Sequence, residues 1–209
     1  MNNRPTLYEI GMKYQTDKSW YHMFTVLYDT YFGIYRDRPI KMLEIGILVG
    51  SSLMMWDEYF EQLEYYGVDL QDCSRFNSDR VKTIIANQES ENDLMALPKN
   101  MDIIIDDGGH TMLQQQLTLK TLFCNHLKSG GTYILEDLHT SEEPYYSTHG
   151  SNARNNTLGL LEDLKLGTLR ECNEYYINEL EFYKLRSLIE TIEICKIKHD
   201  SITSRIIKR

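Results

Sequence analysis

The chain has 209 residues, 42% hydrophobic and 25% charged, a make-up that excludes a disordered or fibrous protein and suits one globular domain. A formal net charge of −9 argues against a phosphate-tracking surface and so against a nucleic-acid partner. Cys73, Cys124, Cys172 and Cys195 lie far apart with no CxxC pair, which excludes a zinc knuckle or a disulfide framework and leaves reduced thiols.

Along the chain, Leu7, Ile10 and Tyr14, then Met23, Val26, Leu27, Phe32 and Ile34, recur at near-helical spacing. The polar stretch QTDKSW (15–20) between them predicts two helices joined by a loop. IKMLEIG (40–46) is an apolar run stopped by glycine, and SLMMWDEYFEQL (52–63) follows at helical period: strand, turn, helix. EYYGVDL (64–70), VKTIIANQ (81–88), MDIIIDD (101–107) and GGTYILED (130–137) read as further strands, with helices near 91–97 and 112–127. Uniformly apolar strands alternating with helices imply a parallel sheet covered on both faces, a Rossmann-like, doubly wound α/β fold.

After Asp137 come some 20 polar, turn-rich residues (138–157), long enough to be a substrate lid. A helix is expected from Leu158 to about Leu188, and TIEICKIKHDSITSRIIKR closes the chain as an antiparallel hairpin, completing seven strands. No apolar run approaches the roughly 18 residues that span a bilayer, and the polar start lacks a signal-peptide core. The expectation is a cytoplasmic protein without a membrane partner.

Open α/β sheets bind ligands beyond the carboxyl ends of their strands. At the first such turn, LEIGILVGSSLMMW offers Glu44, Gly46 and Gly50, then a helix capped by Ser51 or Ser52. GxxxG stands where a dinucleotide site needs GxGxxG, so a diphosphate cofactor is disfavoured. E-x-G-x-x-x-G with Asp69 ending the second strand is instead the pattern of S-adenosylmethionine-dependent methyltransferases. The glycines admit a small sulfonium ligand, and Asp69 can accept from two ribose hydroxyls. A plain glycine-containing turn with a solvated acid is the alternative.

MDIIIDDGGH ends its strand with Asp106 and Asp107, two glycines and His110, and YILEDLH ends the next with Glu136 and Asp137. If these strands are neighbours, four carboxylates meet at one rim, where they repel unless a cation neutralises them. Carboxylate oxygens select a hard cation, Mg²⁺, Mn²⁺ or Ca²⁺, over zinc. The glycines let His110 swing back over the acids as a candidate base for an alcohol whose pKa a metal lowers. An N-cap or a solvent-facing loop acid is the alternative for each pair, and His139 is either a substrate contact or a loop histidine.

TDKSWYHMF, LEIGILVGSSLMMW, YYGVDL, NQ, IIIDDGGH and GGTYILEDLHTS, in that order, resemble the Mg²⁺-dependent sugar O-methyltransferases of macrolide biosynthesis, the macrocin and mycinamicin type, over roughly residues 7–141. The resemblance implies a class I methyltransferase fold, with Asp107, Glu136 and Asp137 as metal ligands and His110 and Asp107 as catalytic residues. It places Glu44, Gly46, Gly50, Ser52, Asp69, Leu70, Gln88 and Asp106 around the cofactor, with Thr16, Asp17, Lys18 and His22 in an N-terminal segment, within 1–36, covering that site. "TDK" reads equally as a helix N-cap, and Trp56 and Tyr28 read as core. The chain departs from the pattern at Gly109, where the relatives usually carry serine, and at Ser51, where a second glycine is common.

The implied reaction is methyl transfer from S-adenosylmethionine to a sugar hydroxyl. The acceptor is expected to be a polysaccharide sugar, a nucleotide-linked sugar or a glycosylated natural product. In the lid, His139, Tyr145 and Tyr146 suit its faces and hydroxyls, with His149 and Arg154 nearby. A metal-dependent hydrolase on the same sheet and a non-catalytic cofactor- or glycan-binding module are the rivals, and a homo-oligomer is compatible with either.

Overall fold

The computed structural model describes residues 4–142, 145–171, 173–198 and 200–209, and only the backbone of 146 and 147. Cys172 and His199 therefore lie outside the described residues.

The chain opens with helix α1 (Leu7–Lys13), started by a capping box in which Thr6 and Glu9 bond each other's backbone. Helix α3 (Phe24–Phe32) matches the second expected helix. The stretch between them is not a loop. It forms a one-turn helix, α2 (Asp17–Trp20), whose buried residues are Lys18 and Ser19. Polar side chains are buried here because partners from elsewhere receive them, as when Ser19 shares a 2.9 Å hydrogen bond with Thr25.

Strands β1 (Pro39–Ile45), β2 (Gln62–Asp69), β3 (Val81–Ile85), β4 (Met101–Asp106) and β5 (Leu127–Leu135) are parallel. They alternate with α4 (Ser51–Tyr59), α5 (Glu91–Ala96) and α6 (Met112–Thr118), and α6 runs on as a π-helical turn, Leu119–Phe123. The hairpin β6 (Ile189–Lys196) and β7 (Ile202–Lys208) joins through β7, antiparallel to β5, giving the order β3-β2-β1-β4-β5-β7-β6. The order reverses between β1 and β4, so a crevice opens beyond their carboxyl ends.

Side chains alternate across each strand, so the sheet carries two cores. Leu43, Ile45, Ile104, Leu135 and Phe182 pack on one face. Met42, Ile105, Ile134, Phe24 and, as expected, Tyr28 and Trp56 pack on the other.

The expected helix from 158 to 188 is two helices, α8 (Thr157–Leu166) and α9 (Glu179–Leu188). Gly167, at φ 77°, ends α8, and the chain then folds back over buried Asp163, which accepts from Asn173 at 2.7 Å and Tyr175 at 2.9 Å. Between 138 and 157 lie a 3₁₀ turn, Leu138–Ser141, and a short helix α7 (Tyr146–His149). Both ends of this segment are tied to α6, since the Met112 sulfur accepts from the Thr157 amide at 3.2 Å and the Ser141 hydroxyl at 3.5 Å. Among the described residues, no helix is long and apolar enough to cross a membrane.

Candidate functional site

A cavity of about 520 Å³ fills the crevice. Gly46 shapes its floor, at φ 92°, because a Cβ there would run into the backbone carbonyl of Asp107, whose own amide donates to Ile45 at 3.0 Å. Asp69 fastens the turn above: its Oδ2 accepts from the amides of Ile47 (2.9 Å) and Leu48 (3.1 Å), and its Oδ1 from that of Gln71 (2.9 Å). Burial pushes this carboxyl up, but the backbone amides outweigh burial and hold it below the usual range.

Gln88 ties the opposite wall together. Its amide donates to Asp106 at 2.8 Å and accepts from the Gly109 amide at 2.8 Å, which anchors the glycine turn that carries His110. Asp106 also accepts from the Tyr133 hydroxyl at 3.2 Å, and burial pushes its pKa up to about 8. At Gly109 a Cβ would strike the Gln114 side chain, which is itself held in a capping box with Thr111, so glycine and this glutamine belong together.

Thr16, Gly46, Ser52, Asp69, Leu70, Gln88, Asp107, His110 and Asp137 line the cavity, as do Asp17 and Trp20 of α2. Several other candidates stand elsewhere. Gly50, at φ 84°, begins α4 against the Phe76 ring. Asp106 is buried behind the wall, and Glu44 beneath it, where it accepts from Ser52 at 3.1 Å and from the Tyr65 hydroxyl. His22 is buried against Ser201, at 2.6 Å, and stacks on Phe24. Gln15, Leu48, Val49 and Gln114 line the cavity without having been expected. Gln15 and Leu48 have positive φ, which no residue pattern marks, whereas exposed Trp20 was visible as an aromatic in a polar stretch.

The two acid pairs are adjacent, as expected: β4 and β5 pair, and the Glu136 amide donates to Asp106 at 3.0 Å. Strand alternation then splits them. Asp106 turns toward Tyr133, while Asp107, Glu136 and Glu44 turn to the face covered by α2, where the Lys18 ammonium meets all three. Burial pushes the Glu136 and Asp107 carboxyls up and Lys18 pulls them back.

Asp137, in the left-handed region at φ 54°, is ringed by imidazoles: His110 Nε2 at 3.4 Å, His22 Nε2 at 3.8 Å and His139 Nδ1 at 3.8 Å. Among the described residues, Asp107, His110 and Asp137 offer donor atoms that lie within 4.8 Å of one another. Glu136, expected among the ligands, gives one oxygen to Lys18, while its Oε1, like Asp137 Oδ1, is buried without a hydrogen bond of normal geometry. Orphaned carboxylate oxygens beside such a donor set fit a hard divalent cation.

His139, whose pKa burial lowers, stands edge-on to Tyr145, with ring centroids 5.2 Å apart. The Tyr146 side chain lies outside the described residues. Arg154 pairs with Glu174 at 3.0 Å.

No protein-family model matches the chain. It is similar to 8-demethyl-8-alpha-L-rhamnosyl tetracenomycin-C 2'-O-methyltransferase of Streptomyces olivaceus, 35% identical over 170 residues, covering 77% of this chain and 45% of that protein. It is 32% identical over 176 residues to mycinamicin VI 2''-O-methyltransferase of Micromonospora griseorubida (78% of this chain, 44% of that protein). Demethylmacrocin O-methyltransferase of Streptomyces fradiae is 33% identical over 175 residues (77% and 44%). The chain thus spans a little under half the length of these relatives. Among solved structures, MycE methyltransferase from the mycinamycin biosynthetic pathway, in complex with Mg, SAH and mycinamycin VI, superposes with a TM-score of 0.79 at 28% identity, over 99% of this chain and 55% of that one. Fibrillarin of Methanococcus jannaschii, at 12% identity and a TM-score of 0.52 over 83% of this chain and 68% of its own, shares the fold alone.

Proposed function

The chain is a homologue of the macrocin- and mycinamicin-type sugar O-methyltransferases and has the class I methyltransferase fold, and from that premise we propose that it transfers the methyl group of S-adenosylmethionine to a sugar hydroxyl. The observation that carries this reading is that one cavity is lined by both the Gly46–Asp69 turn and the Asp107–His110–Asp137 cluster, so donor and acceptor can meet in one crevice.

Gly46, Ser52, Asp69, Leu70 and Gln88 would hold the donor, with Thr16 on the α2 side. Asp107, Glu136 and Asp137 would hold Mg²⁺, because a hard cation prefers their oxygens to an imidazole nitrogen, which leaves His110 free as base. When bound, the sulfonium supplies an electrophilic methyl group and the cation lowers the pKa of the hydroxyl it touches.

The remaining work falls to this chain's side chains. Asp137 Oδ2 faces His110 Nε2 at 3.4 Å, so a proton held there leaves Nδ1 to take the acceptor's proton, and Asp137 stabilises the imidazolium that results. The acceptor oxygen forms its bond to the methyl carbon as the carbon–sulfur bond breaks, and S-adenosylhomocysteine leaves. His139 and Tyr145, in the segment after β5, would present the sugar. A glycosylated natural product, a nucleotide-linked sugar or a polysaccharide sugar all fit this chemistry, which belongs in the cytoplasm, where the donor is made.

The test is labelled methyl transfer to a panel of such sugars, with and without EDTA. His110→Ala should lower turnover by about 10²–10⁴-fold while leaving S-adenosylhomocysteine affinity by calorimetry unchanged. Full activity in that variant removes the base assignment, and no heat with S-adenosylhomocysteine removes the reaction.

A further inference from the structure

A lysine ammonium is rarely buried unless it is paired, yet the Lys18 side chain is only 1% exposed. Its nitrogen bonds Asp107 Oδ2 and Glu136 Oε2 (2.9 Å) and stands 3.7 Å from Glu44 Oε1. These three acids end three different strands, β1, β4 and β5. Burial alone would strip the ammonium of its charge, but the surrounding carboxylates hold its pKa well above the ordinary value. The contact also explains why α2 is a helical turn pinned to the sheet: its one buried cation reaches the strand ends.

The cage is not closed. The Tyr28 hydroxyl approaches the Glu136 carboxylate, but Oε1 is buried with no hydrogen bond of normal geometry, so Lys18 satisfies only one of its oxygens. One positive charge also falls short of the four acids Glu44, Asp107, Glu136 and Asp137.

We propose that Lys18 is the resident counter-cation of this rim, a positioning residue that holds Asp107 and Glu136 in place before any divalent ion arrives and then shares them with it. The sharing rests on the metal reading above; the counter-cation role does not. The acids thus have a metal-independent way of tolerating one another, and the N-terminal segment acts as part of the ion site rather than as a cover for the donor alone.

The experiment is thermal unfolding of the full chain and of Lys18→Met, each in EDTA and in millimolar Mg²⁺, with Leu164→Ala as a destabilised core control. In EDTA, K18M should melt about 10 °C below wild type, because removing one partner strands buried like charges. Mg²⁺ should then raise the Tm of K18M by about 5 °C more than it raises wild type or L164A. A K18M melting temperature in EDTA equal to wild type overturns the counter-cation role, and a Mg²⁺ gain equal to that of L164A overturns the sharing. Lys18→Arg, which keeps the charge, should recover part of the EDTA loss.

If K18M does not fold, amine acetylation of EDTA-treated wild type decides the matter. Lys18 should stay unmodified while surface lysines react, and reaction at the surface rate overturns the cage. A wild type that takes up no Mn²⁺ by calorimetry ends the metal reading and the sharing with it, whereas the EDTA melting temperatures still judge the counter-cation.

Discussion

The donor side and the acid rim of the crevice both place carboxylates at strand ends, and they stabilise them differently. Asp69 is met by backbone amides from two and from twenty or more residues away, all within the βα turns on either side of it. Such dipoles are fixed by the fold, carry no net charge and cannot be displaced by a ligand. Glu44, Asp107 and Glu136 are met by one side-chain ammonium that arrives from α2. The first arrangement makes a rigid wall. The second makes a negatively charged site that remains open to a further cation.

The contrast breaks most severely at Gly46, the point where the two sides touch. Alanine there meets both a backbone angle of φ 92° and the Asp107 carbonyl, so Gly46→Ala should destabilise the protein by about 4 kcal/mol or more, the scale of strain plus a backbone clash. Chemical denaturation is the measurement. A loss under about 1 kcal/mol would mean that the β1 and β4 turns are not coupled through that contact. Asp69→Ala should come next, at about 2–3 kcal/mol, since the amides of Ile47, Leu48 and Gln71 lose a charged acceptor. Unlike removal of Lys18, that loss should be indifferent to Mg²⁺, and an Mg²⁺-dependent recovery of D69A would erase the distinction between the two sides.

What could be read from the residues follows the same division. Apolar strand runs ending in glycine or acid are local signals, so the parallel sheet, the Gly46 turn and the adjacency of Asp106–Asp107 to Glu136–Asp137 were all legible. The destination of Lys18 was not, because it depends on positive φ angles at Gln15 and Met23, which fold "QTDKSW" back onto strand ends some 90 and 118 residues further on. The burial of Glu44 and Asp106 off the cavity wall has the same origin: strand alternation predicts which face a side chain takes, not which neighbour covers it. The break after α8 was legible and missed. Gly167 interrupts the 158–188 pattern as a helix stop in the left-handed region.

A third way of accommodating a buried ionisable group needs no partner charge at all, and it calibrates the other two. His126 is buried at the end of the α6 extension, and burial, aided by nearby Lys99, holds its pKa below that of a free imidazole. The folded chain therefore keeps this ring neutral where the unfolded chain takes up a proton. Its contribution is fully present above about pH 6.5 and is lost as pH falls through the unfolded value toward the folded one, by up to about 1.4 kcal/mol for the first unit below. Denaturation midpoints of wild type and His126→Gln at pH 7.5 and 5.5 isolate the effect, because the carboxylates titrate alike in both. The wild type should lose more stability than H126Q over that interval. An equal loss would remove His126 from the acid sensitivity of the fold and leave that sensitivity to its other titrating groups, the amide-held Asp69 and the lysine-held rim among them.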